Sequence, residues 1–199
     1  MKQGAKIGIS LGVVAAVAAT GVAVWLLIRK KRSTEKVPEI QTGTVTVDVD
    51  KYGWPVFDRA PNAQGSHIAT RANNPLDIRT TAEKWQGQIG TTSEGNGFCV
   101  FDSLEYGIRA AFKILKTYET KYGCKTLKAK LQKWAPPTEN RKSYPDEVAA
   151  GAGVDVNSMA PYNDVNYWIK VMPYWAKLEG YEGTLTADQI KRAYKLAFN

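Results

Sequence analysis

Apolar residues recur every three or four positions over much of the chain after residue 100, which predicts amphipathic helices with one buried face. The first predicted helix runs from Leu104 to Tyr122. A shorter one, Leu127 to Trp134, is ended by the two prolines that follow it, because proline lacks an N–H and clashes with the previous turn. A third begins after Ser143 and ends at Gly151 or Gly153.

Two further helices complete the pattern. One begins near Asn163 and is expected to kink at Pro173. Its apolar face is formed by Val165, Trp168, Ile169, Met172, Trp175 and Ala176. The last helix has a clear start, because Thr186 and Gln189 have the spacing of a capping box.

Short strands are predicted on the N-terminal side of these helices. Residues 44–50 alternate as an exposed strand does, and Phe98–Phe101 is an apolar strand that follows the Gly-rich turn 94–97. The next helix is capped by Asp102 or Ser103. If Asp102 is the cap, Glu105 closes a capping box. The predicted fold class is α+β, mainly helical with a small antiparallel hairpin.

The N-terminus carries the longest apolar run of the chain. From Ile7 to Ile28 there are 22 residues without a charge, enough for one transmembrane helix, and four basic residues follow at once. A cleaved signal peptide is the alternative, but its apolar run would be shorter and would lack the basic stop. We therefore predict an anchor with a basic flank over 1–32, a linker or stalk over 33–70, and a domain over 71–199.

Charge and composition narrow the functional classes. Residues 1–32 hold six of the 27 basic residues and none of the 19 acidic ones, so the remainder has a net charge of only +2. That balance argues against a nucleic-acid partner, although a run of lysines between Lys113 and Lys133 predicts a basic face. One histidine gives little material for a metal site, and Cys99 and Cys124 are expected to be buried free thiols. No cofactor is expected.

The stretch from Asn73 to Ala111 contains the pattern NNPLxIR…WxG…GFxxFxSxxxGIRAA. With the C-terminal helices it resembles phage virion-associated, lysozyme-like peptidoglycan hydrolases and lytic transglycosylases, over roughly residues 71–197. The resemblance implies a lysozyme-like fold and cleavage of peptidoglycan glycan strands. The hairpin precedes the predicted catalytic helix here, which looks like a circular permutation. Asp77 stands where the pattern would have Gly or Asn.

Glu179 is the candidate catalytic acid. It extends the apolar face of the helix that contains Trp175 and lies just before Gly180. A carboxyl group beside an apolar wall, at the C-terminal end of a helix dipole, has a raised pKa and can protonate a glycosidic oxygen. A solvated charge at a helix end is the alternative.

Two other acids are alternates. Glu182 would take the role if the helix ended later, and Glu105 follows the hairpin, although a capping box suffices to explain it. The sequence offers no second carboxylate clearly paired with Glu179. A single acid suits a lytic transglycosylase, in which the hydroxyl of the substrate displaces the leaving group.

Substrate-binding candidates flank the predicted cleft. Trp85 and Tyr181 would stack against sugar rings, while Asn73, Asn74 and Arg79 would bond acetamido or peptide groups. The alternative for each ring is packing in the core, and the alternative for Asn-Asn-Pro is a turn with its side chains bonded to the backbone.

The sequence thus predicts a single-pass membrane protein of a phage virion that cleaves peptidoglycan during genome entry. The alternative is a catalytically inactive lysozyme-like structural protein of a membrane-containing virion. The expected partners are peptidoglycan, a lipid membrane bound through residues 7–28, and other virion proteins.

Overall fold

The structure is a computed structural model that describes residues 6–9, 45–57, 59–60, 63–94, 97–138 and 142–199. It divides the chain into two compact units, Met1–Pro55 and Val56–Asn199. In the first unit, strand β1 (Lys6–Ile9) pairs with strand β2 (Val45–Asp48) in antiparallel register, with Lys6 opposite Asp48. The alternating pattern at residues 44–50 therefore does mark a strand.

The predicted anchor falls mainly outside the described residues. Residues 7–9 lie in β1, where the prediction had the first turn of a helix. Residues 10–28 are not among those described. None of the helices in the described ranges combines the length and the apolar character that crossing a bilayer requires.

The second unit holds the predicted helices and the hairpin. In chain order its elements are α1 (Ile68–Arg71), β3 (Gln88–Thr91), β4 (Cys99–Phe101), α2 (Leu104–Tyr122), α3 (Leu127–Trp134), α4 (Tyr144–Ala152), α5 (Val165–Leu178) and α6 (Ala187–Phe198). Strands β3 and β4 pair antiparallel with an irregularity between Gln88 and Gly90. The prediction of a mainly helical α+β fold with a small antiparallel sheet is confirmed.

The helix ends show which of the predicted capping interactions are present in the structure. Thr186 and Gln189 form the predicted capping box of α6, and Thr126 caps α3 by accepting from the Ala129 amide at 3.3 Å. The predicted box at α2 is wrong. Ser103 is the N-cap without a side-chain bond, and Glu105 pairs instead with a guanidinium on α6.

Helix packing supplies most of the core. Helix α2 packs along α6, and α4 packs along α5. The buried aromatic side chains Phe101, Phe112, Trp168 and Trp175 lie in one continuous cluster. Lys130 is also fully buried, with its ammonium group 2.8 Å from Glu119 Oε2 and 3.4 Å from the Leu115 carbonyl oxygen. The predicted basic face therefore lacks this lysine.

The loop between α1 and β3 is fixed by a buried amide. The Asn74 side chain accepts from the Ile78 amide at 2.9 Å and donates to the Ile78 and Cys99 carbonyls at 2.9 and 3.0 Å. Gly107 on α2 lets the helix approach this loop, because a Cβ there would collide with the Asn73 carbonyl oxygen. The loop is thus held rigidly between hairpin and helix.

The second unit begins earlier than the predicted domain. The Phe57 amide donates to the Thr91 carbonyl of β3 at 2.8 Å, and the Ala60 amide donates to the Arg71 carbonyl at 2.7 Å. The described residues between 56 and 70, predicted as part of a linker, belong to the second unit, and Ile68–Arg71 form α1.

Candidate functional site

A cavity of about 380 Å³ opens between the α1–β3 loop and helix α2. The loop side contributes Asp77, Arg79, Glu83 and Trp85, helix α2 contributes Tyr118 and Tyr122, and the end of α3 contributes Trp134. A concave site of this size, lined by aromatic rings and a few charged groups, is typical of small-molecule and sugar binding.

Asp77 is the most unusual residue of this cavity. Its backbone is in the left-handed region, with φ of 50°, and its amide donates to the Asn74 carbonyl at 3.1 Å. Its Oδ1 atom is buried, with no hydrogen-bond partner among the described residues. Burial, and then the nearby Glu179 carboxylate, raises the pKa of Asp77 to about 7, with Arg79 acting in the opposite direction.

Glu179 lies where the apolar face of α5 ends. It is the C-cap residue of that helix and is half-buried. Its Oε1 accepts hydrogen bonds from the Tyr144 hydroxyl and, at 3.3 Å, from the Trp175 indole N–H. The same indole N–H lies 2.6 Å from the Tyr144 hydroxyl oxygen. Burial and the Glu179 charge raise the pKa of Tyr144, so that phenol stays a donor.

Trp134 joins the cavity to the Glu179 cluster. Its indole N–H donates to the Leu76 carbonyl at 3.2 Å, immediately before Asp77. Its ring meets the Trp175 ring edge-on, with centroids 4.7 Å apart. One face of the cavity wall is therefore packed against the residues that hold Glu179.

The site thus contains two carboxyl groups in unlike environments. Glu179 accepts a hydrogen bond from the Tyr144 hydroxyl and shares the Trp175 indole N–H with the Tyr144 oxygen, whereas Asp77 has a buried oxygen with no partner in the described chain. Two carboxyl groups in such different surroundings can hold different protonation states at the same pH.

The two alternate acids have structural partners. Glu105 pairs with Arg192 at 2.8 Å, which ties α2 to α6. Glu182 accepts from the Ser66 amide and hydroxyl, both at 2.7 Å, and from the His67 amide at 3.2 Å. These bonds lower the pKa of Glu182, which is the opposite of what a proton donor needs.

The polar residues predicted to bind substrate divide into two groups. Asn74 is fully buried with its amide engaged by backbone, and the Asn73 amide donates to the Phe101 carbonyl at 3.2 Å. Both therefore build the turn, which is the alternative reading of Asn-Asn-Pro. Arg79 is exposed at the cavity, with its guanidinium carbon 5.3 Å from the Phe98 ring centroid.

The two aromatic residues predicted to stack against sugar rings lie in different surroundings. Trp85 lines the cavity, and its indole nitrogen is buried without a hydrogen-bond partner in the described ranges. Tyr181 is half-buried and packs against the core cluster, and burial raises the pKa of its phenol. It is not among the residues that line the cavity.

Sequence reasoning missed Asp77 and Tyr144 as members of the site. The signal at Asp77 was an acid at a position where the pattern would have Gly or Asn, which are the residues best suited to a positive φ. Tyr144 gave no such signal, because it reads as an ordinary apolar residue in the first turn of α4.

Within the described ranges, no group of three or more His, Cys, Asp and Glu side chains is arranged to hold a metal ion. Cys99 is buried and Cys124 is half-buried, and neither forms a disulfide in the part of the chain that the structure describes.

Comparison with known proteins gives one informative match. The chain is 31% identical, over 132 residues, to Protein P5 of Pseudoalteromonas phage PM2. The alignment covers 64% of this chain and 80% of that protein. No family model matches the chain. The match is to a phage protein, while the lysozyme-like resemblance stays a prediction.

Proposed function

The chain belongs to the family of Protein P5 of Pseudoalteromonas phage PM2, and we propose that it is a phage virion protein. From the cavity and its carboxyl groups, and not from that match, we propose further that it cleaves peptidoglycan glycan strands during genome entry. In this proposal the second unit carries the cleavage site, and residues 7–28 anchor the chain in a lipid membrane. The reaction is that of a muramidase or a lytic transglycosylase.

The observation that carries this proposal is the pair of carboxyl groups beside an aromatic cavity. Asp77 lines the cavity, and its pKa responds to the charge of Glu179. Protonation of a glycosidic oxygen needs an acid that still holds its proton near neutral pH, and a second, ionised carboxylate stabilises the positive charge that develops on the sugar. Asp77 is the candidate for the acid, while Glu179 is not among the residues that line the cavity and influences the site through its charge.

The cavity lining supports a carbohydrate substrate. Trp85 and Trp134 provide flat apolar surface, and the Trp85 indole N–H has no acceptor among the described residues. Sugar rings combine apolar faces with hydroxyl oxygens that accept such a hydrogen bond.

The far side of the cavity supports an anionic glycan. The Lys133 ammonium lies 3.8 Å from the Tyr122 ring centroid, and the Lys121 ammonium lies 5.5 Å from the same centroid. Two cations beside an exposed ring suit a polymer that carries carboxylates, as the peptide-bearing strands of peptidoglycan do.

A zymogram of the full chain against purified peptidoglycan tests the proposal, with mass analysis of the released fragments. We expect clearing by the wild type, strong loss at about pH 8 in Asp77→Asn and Glu179→Gln, and unchanged clearing in Glu105→Gln. Glu105→Gln is the matched control because it removes a carboxylate that bonds only Arg192 in the described structure. Absence of clearing and of fragments with the folded wild type would contradict the enzymatic proposal.

The second candidate function is a catalytically inactive structural protein of the virion. It is favoured by the hydrogen bonds of Glu179 to Tyr144 and Trp175, which also serve to close the buried end of α5. Under this candidate, Glu179→Gln lowers the free energy of unfolding and has no glycan-cleaving activity to remove. Clearing by the folded wild type therefore separates the two functions, and thermal unfolding of the same variants shows whether a loss of clearing is only a loss of folded protein.

A further inference from the structure

We infer that Asp77 is the residue that donates the proton to the leaving group, and that Glu179 is a positioning residue that acts through Asp77. This inference rests on the proposed function. It reverses the assignment expected from the sequence, in which Glu179 is the acid.

The first step of the argument is access. Asp77 lines the cavity in which a ligand would lie, whereas Glu179 is not among the residues that line it. Glu179 sits behind this wall, where its Oε1 is bonded by Tyr144 and Trp175. The group that can touch a bound substrate is therefore Asp77.

The second step is protonation. Glu179 accepts the Tyr144 hydroxyl hydrogen bond and shares the Trp175 indole N–H with the Tyr144 oxygen, and hydrogen bonds donated to a carboxylate favour its charged form. Asp77 has a buried oxygen that no described group bonds, so the charged form of Asp77 is unfavourable. The proton of the pair therefore resides on Asp77.

The third step is the electrostatic surroundings of Asp77. Glu179 from the end of α5 and Glu83 from the loop add negative charge, and Arg79 adds positive charge. Across the cavity, α2 presents the neutral phenols Tyr118 and Tyr122. Burial is the largest influence and Glu179 the next, so the ionised Glu179 helps keep the proton on Asp77 up to about pH 7.

The fourth step is the backbone. Asp77 holds a positive φ that a residue with a side chain rarely adopts, because Asn74 clamps the loop on both sides of it. Such strained positions cluster at active sites, where the surrounding structure fixes a side chain in one place.

The chemical step balances as follows. The glycosidic C–O bond breaks, and its electron pair stays on the leaving-group oxygen, which takes the Asp77 proton. The anomeric carbon forms a new bond to a hydroxyl oxygen, either of water or of the sugar itself, and that hydroxyl releases its proton to solvent. Asp77 then regains a proton from solvent.

The test is the pH profile of glycan cleavage by the full chain. Asp77→Asn should lose about 10²–10⁴-fold in rate at every pH. Glu179→Gln should remain active at acidic pH. As the pH rises, its activity should fall about one pH unit earlier than that of the wild type, so the alkaline limb of its pH profile is shifted to lower pH. A purely structural role for Glu179 would lower the rate without moving the limb. Activity that survives Asp77→Asn and disappears at every pH in Glu179→Gln would overturn the inference and leave the proposed function standing.

A second measurement does not depend on activity. NMR titration of ¹³C-labelled aspartate carboxyl groups in the full chain, with the Asp77 signal assigned from Asp77→Asn, should place the pKa of Asp77 near 7 and lower it in Glu179→Gln. Asp188→Asn, on the exposed first turn of α6, is the control for the assignment. An Asp77 pKa near that of an ordinary aspartate would overturn the inference even if the wild type proved inactive.

Discussion

Asp77 combines two features that are each unfavourable for folding. A side chain at positive φ costs on the order of 1 kcal/mol, and a buried carboxyl oxygen without a partner in the described structure adds a desolvation penalty. Replacement of Asp77 by asparagine or glycine would remove one or both of these unfavourable contributions to the folding free energy. The fold keeps an aspartate where its local structure prefers another residue, and such local conflicts are typical of functional positions.

The same residue makes stability depend on pH. The folded pKa of Asp77 is about 7, above its ordinary value of 3.8, so the folded state binds its proton more tightly than the unfolded chain does. Stability therefore falls as pH rises between these values, by up to about 1.4 kcal/mol per pH unit, and levels off above the folded pKa. We expect the urea midpoint of the full chain, followed by tryptophan fluorescence, to decrease from pH 5 to about pH 8.

Asp77→Asn should remove most of this decrease, because the amide does not titrate. Glu182 contributes in the opposite direction, since its lowered pKa favours the folded state at higher pH, and it is unchanged in the variant. The comparison of wild type with Asp77→Asn therefore isolates Asp77. An equal decrease in both proteins would show that Asp77 titrates normally.

At the scale of elements, helix bounds could be read from the sequence because their signals are local. The predicted ends of α2 and α3 match the structure, and the Thr186 box is present at α6. The start of α2 was predicted less well. The sequence left Asp102 and Ser103 open as caps; Ser103 is the N-cap, and Glu105, which the predicted box would have used, pairs with Arg192, 87 positions away.

The candidate site could be predicted only in part for the same reason. The apolar face of α5 pointed to Glu179, because that pattern lies within one helix. The partners of Glu179 come from α4 and from the α1–β3 loop, and their proximity depends on tertiary packing. Nothing local marks Tyr144 as a donor to a residue 35 positions later.

Gly107 connects α2 to the loop that carries Asp77. A methyl group there would meet the Asn73 carbonyl oxygen and the ring of Pro75. We expect Gly107→Ala to lower the free energy of unfolding by about 1–3 kcal/mol, because rigid backbone must move to admit it. The displaced loop should also change the NMR chemical shift of the Asp77 carboxyl carbon.

Gly151→Ala is the matched control, since Gly151 also lies inside a helix. Its nearest neighbour is the exposed Tyr174 ring, 2.8 Å from the position of an added Cβ, and this side chain can turn away. Alanine is the better helix former, so this variant should stay within about 1 kcal/mol of the wild type. Equal stability of the two variants would contradict close packing of α2 against the loop.

At the scale of the whole molecule, the two parts of the proposed function depend on different segments of the chain. The second unit contains the cavity, both carboxyl groups and the core that holds them, so its chemistry depends on residues 56–199 alone. The membrane proposal depends on residues 7–28 alone. The two parts of the proposed function can therefore fail independently.

Liposome flotation separates the contributions of the apolar run and the basic cluster. The full chain should float with vesicles at high salt, because an inserted apolar helix does not depend on ionic attraction. Deletion of residues 7–28, with Arg29–Arg32 kept, should leave the protein at the bottom of the gradient at high salt. Replacement of those four basic residues by glutamine should preserve flotation, because the apolar run alone is long enough to insert into the bilayer. A wild-type chain that floats only at low salt would instead show surface attraction by the basic residues, which would contradict the anchor and leave the glycan-cleaving proposal unaffected.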